Sequence, residues 1–323
     1  MPLFKRAEND NESDNKKSEI DYNANARENQ ERFKSANFDD LKQLEADLMN
    51  VSNLAGLFYP ENRLSNGYVV WQMNREEAEK PLAERVPPTA LRHYYGVKNN
   101  RYYDDLYLQS GATDIRILKK VTDNDGFTIM GERVLEFGCS AGRMMRHLEA
   151  EAQVNEVWGA DLHSAAIHWA QSHLSPPFHF CTTTTAPHLP FEDNYFGLIF
   201  AGSVWTHIGE LDDAWLLEMR RVLRPGGRIY ITISDQNTVE RIRNESPEHA
   251  SNQHVDELDA ETGMLNKPYL QFVTRTTPWL QRCVYDQQAW LEKVGRWLKV
   301  KEVRENAYGW QTGVLFEKTD KVE

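Results

Sequence analysis

The residues whose types and spacing could do chemistry lie in one short stretch. Glu136-Phe-Gly138-Cys-Ser140-Ala-Gly142 sets an acid ahead of three small residues at alternate positions, directly after the apolar run Val134-Leu135. Small residues let a backbone approach a ligand closely and accept positive φ without a Cβ clash. A helix starting just beyond would add unsatisfied N–H groups and the positive end of its dipole. Nineteen residues after Gly142 (161 − 142) stands Asp161. An acid at about that distance past a glycine-rich turn is placed to accept hydrogen bonds from ribose hydroxyls. Such a turn alone could also hold a nicotinamide or flavin cofactor, or only pack a helix on a strand. Two details argue against a dinucleotide. Its third small position would fall on Arg143 or Met145, both bulky. Glu136 at the mouth would repel a pyrophosphate and attract the cationic amino-acid end of a ligand.

Other reactive residue types rank lower. His163, His168, His173 and His179 are spaced by five or six, off one helical face, so no metal site is expected. Cys139 reads as a small space-filler rather than a reactive thiol. Trp279, Trp290, Trp297 and Trp310 read as core and lid rather than a carbohydrate platform.

The elements that must position the turn follow an alternation. Apolar runs at 134–137, 157–160, 178–181, 198–201 and 229–233 are strand candidates, and 141–152, 164–173 and 212–223 are helical candidates. This order predicts a parallel sheet with helices on both faces and a ligand crevice at the carboxyl ends of the strands. Pro225-Gly226-Gly227 predicts a tight turn before the last of these strands. Downstream, 287–297 reads as a helix, and 298–304 and 311–317 as two strands joined around Tyr308-Gly309. Residues 237–283 are irregular and too long for a connection, which predicts an insertion with its own helices. Residues 1–30 hold almost nothing to bury and are expected to be a disordered tail. Residues 31–125 form a helical extension or lid, with an amphipathic helix over 38–49, a break at Pro87-Pro88 and more helix through 106–118.

Composition sets outer bounds. Of 323 residues, 40% are hydrophobic, enough for a real core, while no apolar run reaches the 18 or so residues of a membrane span. The net charge of −12 and the lack of a concentrated basic stretch make nucleic acid a poor first guess as partner. Three scattered cysteines and no apolar leader fit a reducing cytoplasm, and no membrane partner is expected.

The turn, with four further stretches in order, resembles the class I S-adenosylmethionine-dependent methyltransferases. Glu136 to Gly142 is similar to their acid-x-Gly-x-Gly-x-Gly motif, with Ser140 at the middle glycine. Gly159-Ala-Asp161-Leu162, Leu189-Pro190-Phe191-Glu192-Asp193, Phe200 to His207 and Glu218 to Ile231 resemble the later motifs. The resemblance covers residues 131–234 and implies a doubly wound, Rossmann-like α/β fold. Its sheet would have seven strands, mostly parallel with the last antiparallel, in a domain spanning 126–320. It also implies the cofactor S-adenosyl-L-methionine. Gly138, Ser140 and Gly142 would line its methionine and ribose, and Glu136 its ammonium. Asp161 would take the ribose hydroxyls. Leu162 would pack on adenine, the Thr185-Ala186 segment would edge that ring, and Ser203 would border the site past the fourth strand. Arg92 or Arg143 would meet the carboxylate, and the sequence does not choose between them. His207 is the candidate general base, against a packing or helix-start role, and Trp205 lies near the substrate or supports the sheet. The implied activity is methyl transfer to a small molecule or sugar, at oxygen before nitrogen or carbon. Gly202-Ser203 offers no acid for an aminopropyl transferase, and the alternative is an inactive cofactor-binding or interaction protein.

Overall fold

The computed structural model describes residues 80–93, 95–99, 101–209, 211–248 and 283–319, together with 54–55, 69–70, 252–253 and 256. The tail 1–30, the helix expected over 38–49 and most of the insertion 237–283 lie outside the described residues. The organising element is a seven-stranded sheet: β1 (Val134–Phe137), β2 (Val157–Asp161), β3 (His179–Thr182), β4 (Phe196–Ala201), β5 (Leu223–Ile233), β6 (Lys299–Tyr308) and β7 (Gln311–Glu317). Their order is β6-β7-β5-β4-β1-β2-β3. Strands β1 to β5 pair in parallel, and β7 runs antiparallel to both neighbours. The chain winds outward from β1 through β2 to β3, then crosses to β4 and β5. That reversal puts a crevice between the ends of β1 and β4.

Buried alternation builds two core layers. Val134, Leu198, Phe200, Tyr230 and Leu315 point into one layer, and Leu135, Ile199, Ile229, Ile231 and Phe316 into the other. The first is covered by α1 (Asp104–Asn124) and α3 (Ser164–Leu174), and the second by α4 (Asp212–Val222) and α6 (Gln287–Val294). In α1 the buried Tyr107, Gly111, Ile115, Leu118 and Thr122 recur at three and four residues, the stripe a sheet-facing helix needs. Asp212 and Asp213 open α4 and Arg220 and Arg221 close it, complementing its dipole. The fold expected from the sequence is the fold observed.

Two features differ from expectation. The helix expected over 141–152 is replaced by turns, a short 3₁₀ segment (Met145–Leu148) and one α-helical turn, α2 (Glu149–Ala152). Left-handed conformations at Ser140 and Gly142 prevent regular helix from beginning there. Pro225-Gly226-Gly227 does not precede β5 but forms a bulge within it: Phe196 pairs with Leu223, and Leu198 pairs with Arg228. Gly226 N–H donates to Lys318 O at 2.8 Å, which ties the bulge to the chain after β7. The insertion opens with α5 (Gln236–Glu245), whose Asp235 cap accepts from Thr238 N at 2.8 Å.

Candidate active site at the ends of β1, β2 and β4

The turn after β1 is built by conformation before side chains. Gly138, Ser140 and Gly142 have φ of +79°, +48° and +70°. A Cβ at Gly138 would lie 2.3 Å from Val204 Cγ2, so the loop after β4 closes directly on the turn. Gly138 N–H and Cys139 N–H both donate to Ala160 O, at 2.7 and 3.2 Å, which docks the turn onto the end of β2. Asp161 ends that strand. Its Oδ2 accepts from Ser140 N at 2.7 Å and its Oδ1 from His163 N at 2.7 Å. Two loops thereby hold the carboxylate, and each oxygen keeps a further lone pair for a ligand hydroxyl. Beside it Leu162 is 45% exposed, an unusual place for a leucine unless something flat covers it. Thr183 N–H donates to Asp161 O at 2.9 Å, bringing the exposed Thr185 and Ala186 to the same edge.

The charged residues are arranged differently from their expected roles. Glu136 is not open at the mouth but buried, with Oε2 accepting from Met145 N at 2.9 Å. The late start of the helical segment leaves that N–H without an intrahelical partner, and Glu136 supplies one. Burial pushes the Glu136 carboxyl up to about 8, against the opposing pull of Arg143. Arg143 is spent internally: it pairs with Asp114 at 2.7 Å, donates to Ser110 Oγ at 3.1 Å and also donates to Tyr308 OH. Arg92 pairs with Asp104 at 2.8 Å and donates from Nε to Pro87 O at 2.7 Å. Its Nη1 is buried and has no hydrogen-bond partner among the described residues. Arg146 was not anticipated. Fully buried, it donates to Gly142 O at 2.7 Å, Ala141 O at 2.9 Å and Arg85 O, clamping the turn to the segment that precedes α1.

Past β4 the site is closed by side chains from distant strands. Ser203, at φ +60°, donates its N–H to Thr232 Oγ1 at 2.7 Å. Thr232 Oγ1 donates to Gln311 Oε1 at 2.8 Å, and Gln311 Nε2 donates back to Ser203 Oγ at 2.8 Å. This ring uses the Ser203 hydroxyl to hold the loop, with Thr206 Oγ1 3.1 Å away. Trp205 is fully buried and meets Phe137 edge-on at 6.4 Å, so it supports the sheet. His207 is exposed on the turn that follows. Tyr308 packs on Gly202, where a Cβ would lie 2.6 Å from its Cε2. Tyr95, Asp114, Thr232, Tyr308 and Gln311 carry no local sequence signal, because their partners lie tens to hundreds of residues away.

The histidines do not converge. His163 Nδ1 lies 3.3 Å from His93 Nε2, and burial lowers His163 to about 4. His173 instead contacts Trp169 O at 2.8 Å. Among the described residues no group of three or more His, Cys, Asp or Glu could hold a metal ion. Cys139 is buried, and burial raises its thiol well above the ordinary value, which leaves it unreactive. Among the described residues no helix is long and apolar enough to cross a membrane.

Residues 135–231 match the family described as the methyltransferase domain. A ubiquinone/menaquinone biosynthesis C-methyltransferase from Cupriavidus pinatubonensis is 31% identical over 133 residues, covering 38% of this chain and 51% of that protein. A second protein of that name, from Cupriavidus metallidurans, is 31% identical over 31% of this chain and 42% of its own length. The chain thus spans about half the length, or less, of these curated relatives. Among solved structures, a magnesium protoporphyrin IX methyltransferase from Synechocystis with bound SAH is 12% identical, with a TM-score of 0.46 over 70% of this chain and 91% of that one. A SAM-dependent methyltransferase from Methanosarcina mazei is 16% identical, with a TM-score of 0.44 over 62% of this chain and 97% of that one. Over residues 135–231 the chain therefore matches a methyltransferase domain.

Proposed function

We propose that this chain is an enzyme that transfers a methyl group from S-adenosylmethionine to a small-molecule or sugar acceptor, at oxygen. The observation that carries the reading is the three-point left-handed turn at Gly138, Ser140 and Gly142, docked on β2 and latched to Asp161 by the Ser140 N–H. It leaves a main-chain-lined floor beside a carboxylate with spare lone pairs. On this reading Asp161 takes the ribose hydroxyls, Leu162 packs on adenine, and Ala186 borders the ring. Gly138, Ser140 and Gly142 line the methionine and ribose. Arg92, rather than Arg143, meets the cofactor carboxylate: its Nη1 is a buried donor in need of an acceptor, whereas Arg143 already has three. Glu136 acts on the ammonium from beneath the turn, and Ser203 borders the site through the loop it holds.

The cofactor, when bound, supplies an activated methyl group and its own neutral leaving group. The chain's residues then have to align the acceptor and exclude water, which is worth on the order of 7–11 kcal/mol for a well-oriented pair. His207 is the residue to test as general base for a hydroxyl acceptor; exposed, it would reach a substrate seated at the rim of the site. The name of the curated relatives, C-methyltransferase, supports methyl transfer and makes carbon the competing acceptor atom. Calorimetric titration with S-adenosylmethionine, its demethylated product and NAD tests the reading. Micromolar binding of the first two with none of NAD is expected. Binding of NAD in their place would overturn it, and binding without turnover of any acceptor would leave a cofactor-binding protein.

A further inference from the structure

A largely buried polar chain lies beside the candidate site. Asp114 on α1 accepts from Arg143 Nη1, Arg143 Nη2 donates to Tyr308 OH, and Tyr308 OH lies 2.6 Å from Tyr95 OH. The Arg143 guanidinium also lies over the Tyr95 ring, 4.0 Å from its centroid. Four stretches of sequence meet here: the segment before α1, α1 itself, the turn after β1 and the end of β6.

The proton order in this chain follows from what each group can do. A guanidinium only donates, so the Tyr308 oxygen is an acceptor towards Arg143. If Tyr95 also donated to Tyr308, the Tyr308 proton would be a buried donor with nothing to receive it. Leaving a buried donor unmade costs about 1–3 kcal/mol. Tyr308 therefore donates to Tyr95, and the Tyr95 proton becomes the free end of the relay. Burial raises the Tyr308 phenol well above its ordinary value, so that phenol keeps its proton.

Its position is as informative as its polarity. Tyr308 packs on Gly202 at the end of β4, and Tyr95 follows Leu91, whose carbonyl accepts from Ser140 Oγ at 3.4 Å. The free donor thus stands beside both the turn after β1 and the end of the fourth strand. A donor backed by a guanidinium selects an oxygen that accepts, and it favours an anion over a neutral oxygen.

We propose that Tyr95, aligned by Tyr308 and Arg143, is the hydrogen-bond donor to the acceptor's oxygen, and that the acceptor is a phenol or enol bound with that oxygen ionised. The inference rests on the methyltransferase reading and narrows it: an alkyl hydroxyl of a sugar is too weak an acid to be held this way. The proton leaves to solvent when the acceptor binds. Tyr95 touches the substrate, while Tyr308 and Arg143 act through it as positioning residues.

The test uses 4-nitrophenol as the probe and the full chain saturated with S-adenosylhomocysteine. Absorbance titration reads the pKa of the bound probe, which is expected to fall by about one unit or more, a tenfold preference for the ionised form. Tyr95→Phe and Tyr308→Phe should each abolish that preference, with S-adenosylhomocysteine affinity by calorimetry held within about twofold. Tyr95→Phe removes one oxygen from a half-buried ring, so it keeps the test open even where Tyr308→Phe fails to fold. No probe binding to the loaded wild type, or an unchanged preference in Tyr95→Phe, overturns the relay. Failure of S-adenosylhomocysteine itself to bind would instead overturn the reading beneath it.

Discussion

The floor proposed to meet the cofactor and the wall proposed to meet the acceptor are made by different physics. The floor, Gly138 to Gly142 with Asp161, spans two dozen residues and works through backbone conformation and main-chain N–H groups. The wall is a convergence of side chains from the loop after β4, from β5, β6, β7 and α1, from the segment before α1 and from Arg143 just past the turn, closed into the Ser203–Thr232–Gln311 ring and the Asp114–Arg143–Tyr308–Tyr95 relay. Conformation is intolerant of a side chain where none fits. A side-chain network loses one link at a time. The floor should therefore fail sharply under substitution and the wall by degrees.

The sharpest break is expected at Gly138→Val. A β-branched residue at φ +79° carries strain, and its Cβ would meet Val204 at 2.3 Å. Together these predict on the order of 3 kcal/mol of destabilisation and loss of detectable cofactor binding. Urea unfolding and calorimetry measure both, and a stable variant that binds normally would show that the turn tolerates side chains. Asp161→Ala comes next: it removes the acceptor for two backbone N–H groups and, on the proposed reading, for the ribose. Cofactor affinity should weaken by roughly 1.5–3 kcal/mol in a folded protein. Unchanged affinity would mean the ribose lies elsewhere.

Glu136 tests the floor through pH. Its folded pKa of about 8 lies above the ordinary 4.5 of a glutamate, so the folded state binds its proton more tightly than the unfolded state does. The stability it contributes is complete below about 4.5 and is lost as pH rises towards 8. Relative to Glu136→Gln, the wild type without ligand should lose up to about 1.4 kcal/mol per pH unit across that window. Parallel stability–pH curves for the two proteins would show that the carboxyl is not held neutral. The smallest effect is expected in the wall. Gln311→Ala removes two of the ring's three hydrogen bonds and should cost about 1–2 kcal/mol of stability, with cofactor affinity nearly unchanged. A loss of affinity as large as that of Asp161→Ala would erase the distinction between floor and wall.

How much was legible tracks the same division. The strands of the core and α3 and α4 announce themselves as short apolar runs and amphipathic stretches whose ends match within a few residues, except that β5 begins six residues before its apolar run. The helix expected over 141–152 was misread because apolar spacing says nothing of the left-handed residues that delay it. Arg143 shows the limit most clearly. Its place beside the turn made it a candidate for the cofactor carboxylate, yet Asp114 and Tyr308, 29 and 165 residues away by number, had already claimed it. Gln311 and Tyr95 gave no sign of a role.

Sequence alone determined the sheet, the turn after β1 and the acid that ends β2, since these rest on hydrophobic period and on residues close together along the chain. Tertiary structure decided which arginine keeps an unpaired donor, that Glu136 lies beneath the turn, and that Ser203, Gln311, Tyr95 and Tyr308 share one wall. Burial and hydrogen-bond partners are properties of distant segments brought together, and no local pattern carries them.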